Sequence, residues 1–286
     1  MAFTRRFGKK SRDTDPIAHA ERLVLSGKFL PAIDSLTQAN SANPSPAVEA
    51  RLIELRHEAL FHLSPKSSFP AWPPATTNLF SDVVGIPEIN RSELNVEKLR
   101  SAILNNGSLI VRNLITPSEA QAAIDDVNIS FEKYDAAIDG KPLEESAPWF
   151  VPFKSSEKLG VTEFSAWSPE DQGSRHWVRE GGGVLAADSP RTFSRLIELF
   201  QKNSIISLIQ DYLGERPALS VKKTTLRRVV CGSDTSNGWH QDGAFLGEGI
   251  RTINVWIALT DCGVDAPTMD MVPKRLHEIA PTGTHG

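Results

Sequence analysis

Gly238-Trp239-His240-Gln241-Asp242-Gly243 stands between two stretches rich in β-branched residues, LSVKKTTLRRVV at 219–230 and RTINVWIAL at 251–259. That enrichment predicts strands on both sides of it. Side chains two apart on an extended chain project to one face, so His240 and Asp242 present an imidazole nitrogen and a carboxylate oxygen together. They form a chelating pair. With a third ligand from a distant strand, the pair completes a two-His, one-carboxylate facial triad on iron(II), which leaves coordination positions open for a cosubstrate and O₂. His-x-Asp alone also arises by chance, and its context has to carry it. In the strand predicted at 251–259, Asn254 and Trp256 share one face while Ile253, Val255, Ile257 and Leu259 share the other. One face is suited to packing and the other to lining a pocket. The plainer reading makes Trp239 and Trp256 core aromatics.

Working outward, the 286 residues suffice for one large domain and a small one. Hydrophobic residues make up 40% and charged residues 23%, which excludes simple disorder. A formal net charge of −4 leaves no global attraction for phosphate backbones, and the basic cluster from Arg5 to Arg12 reads as a solvated tail. Nucleic acid is therefore not an expected partner. No apolar stretch follows the charged N-terminus, and no window approaches the roughly 18 apolar residues of a membrane span. A soluble, cytoplasmic protein is expected. Cys231 and Cys262 lie too far apart for a CxxC site and are expected to be buried free thiols.

The chain divides by pattern into a flexible tail at 1–14, a helical segment at 15–63, a Pro-rich linker at 64–77 and a larger mixed domain at 78–286. Asp15-Pro16 opens a helix that Gly27 ends. A second helix follows, and Ser45-Pro46 starts a third through about Leu63. Gly27, Phe29, Ala32, Ile33, Leu36, Ala39 and Pro44 resemble the second half of a tetratricopeptide repeat. Fewer than two such repeats fit, so the segment is expected to dock on the rest of the chain, pair with another copy or recruit a protein partner. Beyond the linker, a helix is expected at 96–105, stopped by Asn106-Gly107, and a strand at 108–114. Thr116-Pro117-Ser118-Glu119 is a capping box that opens a helix to about Tyr134. The aromatic-rich stretch from Trp149 to Trp177 reads as a substrate lid, and Gly181-Gly182-Gly183 as a hinge or turn. Helices are expected at 189–202 and 204–212.

The run GWHQDGAFLG with RTINVWIALTDCGVDAPTMDMVPKRLHEIAPTG resembles the phytanoyl-CoA dioxygenase-like proteins, a branch of the iron(II)/2-oxoglutarate oxygenases. LRSAILNNGSLIVRNLITPSEAQ resembles the entry to that domain. The resemblance implies an α+β protein built on a double-stranded β-helix, a jelly roll with helices packed outside. It implies His240 and Asp242 as iron ligands, and Asn254 and Trp256 near the 2-oxoglutarate and the metal. Thr225 and Arg227, on the preceding strand, are placed to line the same cavity. The implied cofactors are Fe(II), 2-oxoglutarate and O₂, and the implied reaction couples oxidative decarboxylation of 2-oxoglutarate to hydroxylation of a small organic substrate. Succinate and CO₂ are the co-products.

The pattern breaks after Asp242. The family's third ligand, a distal His, and the Arg that holds the 2-oxoglutarate carboxylate come after further strands, whereas His277 and His285 stand in other contexts. An incomplete barrel and a chain truncated before its third ligand are expected on that account. The alternative is a non-catalytic scaffold with a degenerate barrel. A two-His halogenase site is disfavoured because Asp242 is retained. The substrate is not legible from the chain.

Overall fold

The computed structural model describes residues 15–62, 71–153, 175–176, 178–229, 232, 238–241, 251–263 and 266–280. The expected helices form, and short-range chemistry accounts for where they start and stop. In α1 (Pro16–Leu25) the carboxylate of Asp15 accepts the N–H of Ile17 at 3.0 Å, and Pro16 occupies a position that needs no donor. Gly27 ends it with φ +71°. The next helices, α2 (Phe29–Ala42) and α3 (Pro46–His62), pack against α1 around Phe29, Ile33, Leu36, Leu52 and Leu55. Ala20 and Ala32 are fully buried, so small side chains set the close approach of these helices. Arg51 ties the outer surface together through Glu21 at 2.6 Å and Glu58 at 2.8 Å.

These three helices are seated on the remainder of the chain. Ile53 of α3 belongs to the same buried cluster as Phe131, Phe150, Val184, Phe193 and Leu226. The ring of His57 meets Phe153 edge-on at 5.4 Å. Glu49, buried in α3, pairs with Arg191 at 2.6 Å. Of the possibilities weighed above, attachment to the chain's own body is the one these contacts show. In the described part of the Pro-rich stretch, Trp72 packs edge-on against Tyr212 at 5.3 Å beneath the guanidinium of Arg251.

The body is a mixture of helices and small sheets. β1 (Glu88–Asn90) pairs in parallel with β2 (Ile110–Arg112), and β3 (Gly183–Leu185) pairs antiparallel with β4 (Thr225–Arg227), so the described strands make two two-stranded sheets. α4 (Val96–Ser101) continues into a π-helical turn over Ala102–Asn106 and stops at Gly107. α5 (Pro117–Ile138) begins with the expected capping box, with Glu119 Oε2 accepting the N–H of Thr116 at 2.8 Å, and runs one turn past Tyr134. Lys202, with Thr116, holds the Glu119 carboxyl down to about 2, which ties the start of α5 to the end of α6 (Pro190–Lys202). α7 (Ile205–Leu213) closes at Gly214.

Several expectations need correction. The stretch 251–259 forms no strand among the described residues. Its period-two exposure survives: Ile253, Ile257 and Leu259 are half-buried, while Asn254, Trp256 and Ala258 are exposed, with Val255 also exposed. Alternating hydrophobicity marks a face, but a strand also needs a neighbour's N–H and C=O groups, which composition does not supply. The strand expected at 219–230 is reduced to β4, preceded by a 3₁₀ turn at Val221–Lys223. Phe150 is fully buried against Tyr134, and Trp149 lies under Arg195, so the start of the supposed lid is core instead. Trp167 and Trp177 lie outside the described residues, as does Cys231. Cys262 is half-buried, not buried.

Gly107 shows how the late sequence is fastened. A Cβ there would lie 2.8 Å from the carbonyl oxygen of Lys274, and φ is +85°. Gly107→Val is expected to cost about 2–4 kcal/mol, from left-handed strain plus overpacking, and to raise hydrogen exchange at 272–275. Gly27→Ala carries only the strain, about 1 kcal/mol, since nothing lies within 4 Å of its Cβ. Equal denaturation midpoints for the two variants would refute the close approach.

Candidate functional site

β4 carries two of the expected site residues. Its register against β3 sets Leu226 into the core and leaves Thr225 and Arg227 on the opposite face, Thr225 half-buried and Arg227 exposed. Gly183 permits this pairing, because a Cβ there would meet the Thr225 methyl at 2.8 Å. Arg227 donates from Nη1 to the carbonyl of Gly181 at 2.9 Å. The triple glycine is thus a turn into β3, held additionally by the Arg228 N–H on the Gly182 carbonyl at 2.8 Å. Arg228 itself covers the Phe131 ring at 4.5 Å and donates to Asn128 Oδ1 at 3.2 Å.

His240 is exposed, with its Nδ1 3.1 Å from the Gly238 carbonyl oxygen. A carbonyl only accepts, so Nδ1 is the protonated nitrogen in that contact. In the neutral ring the lone pair then sits on Nε2, the tautomer suited to a metal whose second nitrogen is held by a carbonyl. Asp242 lies outside the described residues, so the partner carboxylate is not placed here. Among the described residues, no three His, Cys, Asp or Glu side chains group to hold a metal.

Trp239 and Trp256 are 56% and 49% exposed, which overturns their reading as core aromatics. Asn254 shares the exposed face of Trp256. Gln241, whose part was open in the sequence, is engaged twice. Its Nε2 donates to the Glu278 carbonyl at 3.1 Å, and its Oε1 accepts the Ala280 N–H at 2.6 Å. The signal for this role was its projection away from the ligand pair. His277, one residue before that contact, is exposed, and His285 lies outside the described residues.

The buried Arg175–Asp188 pair escaped sequence reasoning. Asp188 accepts Arg175 Nε at 2.8 Å and Nη2 at 2.9 Å, and it also accepts the Phe153 N–H at 2.7 Å. Asp188-Ser189-Pro190 reads in sequence as a helix entry, which conceals the pairing.

The protein is a helix-rich mixture of helices and small sheets, and its sequence carries His-x-Asp after a strand that bears Thr and Arg on its outer face. The chain belongs to the phytanoyl-CoA dioxygenase (PhyH) family, whose model matches residues 103–275, more than half of its length. No curated protein and no solved structure matches the chain. Family membership points to an iron- and 2-oxoglutarate-dependent oxygenase. No helix among the described residues is long and apolar enough to cross a membrane.

Proposed function

We propose that this protein is a non-haem iron(II)/2-oxoglutarate-dependent dioxygenase that hydroxylates a small organic substrate, with His240 and Asp242 as iron ligands. The observation that supports the reading is the contact of His240 Nδ1 with the Gly238 carbonyl, inside the family span, an arrangement in which Nε2 would be the ligating nitrogen. Bound iron would supply activation of O₂ for oxidation of 2-oxoglutarate and of a substrate C–H bond. The chain's own residues do the positioning. Gln241 fixes the backbone between the two ligands to residues 278–280. Thr225 and Arg227 offer a hydroxyl and a guanidinium to a carboxylate. Asn254 and Trp256 line the cosubstrate side, with the indole excluding water. A completed jelly roll, with its third ligand and a second Arg on further strands, belongs to this proposal, as does a cytoplasmic setting.

The test is succinate formation from 2-oxoglutarate on addition of Fe(II), in a protein carrying those further strands. Turnover is expected in the parent and only background in His240→Ala. Full turnover in the alanine variant overturns the ligand assignment. Absence of iron binding and of turnover in the parent supports a non-catalytic scaffold instead.

A further inference from the structure

Residues 271–280 run over the surface and meet the body at two points. Within this stretch Arg275 and Ala280 are half-buried, and every other residue is exposed. At the first point the chain crosses the π-helical turn that ends α4. The Arg275 N–H donates to the Asn105 carbonyl at 3.4 Å, and the carbonyl oxygen of Lys274 lies 2.8 Å from where a Cβ on Gly107 would stand. Arg275 Nε is buried, and its guanidinium acts on Tyr212 of α7, which is 1% exposed. Burial pushes the Tyr212 hydroxyl up, and the charge of Arg275 opposes that push. Tyr212 is fixed in turn by the edge-on ring of Trp72 and by Arg100, whose Nε donates to its carbonyl at 3.3 Å. At the second point the amide of Gln241 accepts the Ala280 N–H at 2.6 Å and donates to the Glu278 carbonyl at 3.1 Å. One side chain thus fills a donor and an acceptor on the same edge, as a neighbouring strand would. The chain from Arg275 to Ala280 extends at most about 17 Å, too short to hold much slack.

We propose that Arg275 is a positioning residue for the metal site: it seats the near end of a strap, 275–280, whose far end holds Gln241 and with it the backbone that carries His240. What His240 does there rests on the iron reading above, whereas the mechanical link rests on the contacts at the two ends of the strap. A chelating pair gains from such support, because the ion is held tightly only when its donors are fixed in the geometry it requires. The helical layer around Tyr212 and the turn after α4 are thereby coupled to a segment distant in sequence.

Hydrogen exchange without metal, and cobalt(II) binding followed by calorimetry, test this in the protein used for the succinate assay. Arg275→Gln is expected to speed exchange at 276–280 and at 239–241 while α5 keeps its parental rate. Arg275→Lys, which retains a cation beside Tyr212, should recover part of the protection. Cobalt affinity should fall about tenfold or more in Gln241→Ala and about threefold or more in Arg275→Gln. Parental exchange at 239–241 in Arg275→Gln overturns the link. An equal rise over α5 overturns it too, since that reports loss of the fold and not of one anchor. Parental cobalt affinity in Arg275→Gln, with binding abolished in His240→Ala, overturns the positioning role and leaves the iron reading intact. Equal cobalt uptake by the parent and His240→Ala overturns the iron reading itself, and Arg275 then has no ligand to position.

Discussion

Asp188→Ala is expected to lower the stability of this protein by about 3–5 kcal/mol, the cost of leaving a buried charge without its partner. Asp188 and Arg175 are each 1% exposed, so neither group recovers hydration when the other is removed. The loss is not confined to the pair. Asp188 also accepts the Phe153 N–H, Arg175 donates to the Phe153 carbonyl at 3.2 Å, and the Asp188 carbonyl accepts the Val151 N–H at 2.8 Å. The carboxylate thus fastens residues 153 and 175 just past the end of β3, while the Val151 bond, made to the main-chain carbonyl, survives the substitution. Against a typical total of about 5–15 kcal/mol, its removal approaches global unfolding. Urea denaturation reads the effect. A second variant, Asp188→Leu with Arg175→Met, removes both charges and should recover part of the loss. Tyr134 provides an optical check, because burial and then the Asp188 charge push its hydroxyl up to about 12. In Asp188→Asn that hydroxyl should ionise at lower pH. A parental denaturation curve for Asp188→Ala would show that the knot does not hold the body together.

Glu49→Ala is expected to loosen the N-terminal helices from the body at a cost of about 2–3 kcal/mol. The full buried-pair penalty does not apply, since the Arg191 side chain retains some contact with water. The pair nevertheless sits at the centre of the α3–α6 contact, beside Ile53 in the common core. Limited proteolysis should release a fragment containing α1–α3 sooner than in the parent, and denaturation should show an early step. Glu49→Ala with Arg191→Met should restore part of the protection by removing the orphaned cation. The surface pair Arg112–Glu88, at 2.8 Å but exposed on both sides, provides the contrast. Glu88→Gln should leave the denaturation curve unchanged, because water and salt replace most of what that pair contributes. Similar curves for Glu49→Ala and Glu88→Gln would refute the distinction.

Helix boundaries were the most legible part of the chain. Asp15-Pro16, the capping box at Thr116–Glu119 and the glycines at 27, 107 and 214 act on hydrogen bonds and dihedral angles within a turn or two, so their meaning is carried locally. The strands were less legible. RTINVWIAL has the alternation of a strand and retains that alternation in its exposure, yet strand pairing at 225–227 is what the described residues show, because a ladder depends on a partner distant in sequence.

The candidate site divides along the same line. By itself the sequence determined the His-x-Asp pair, the family to which it belongs and the helices that frame it, since spacing and residue type are local properties. Only the tertiary structure decided where the amide of Gln241 is spent, and that Asp188 and Glu49 are buried under cations from other parts of the chain. Burial and ion pairing depend on what the folded chain brings alongside a residue, and no neighbouring letter in the sequence carries that information.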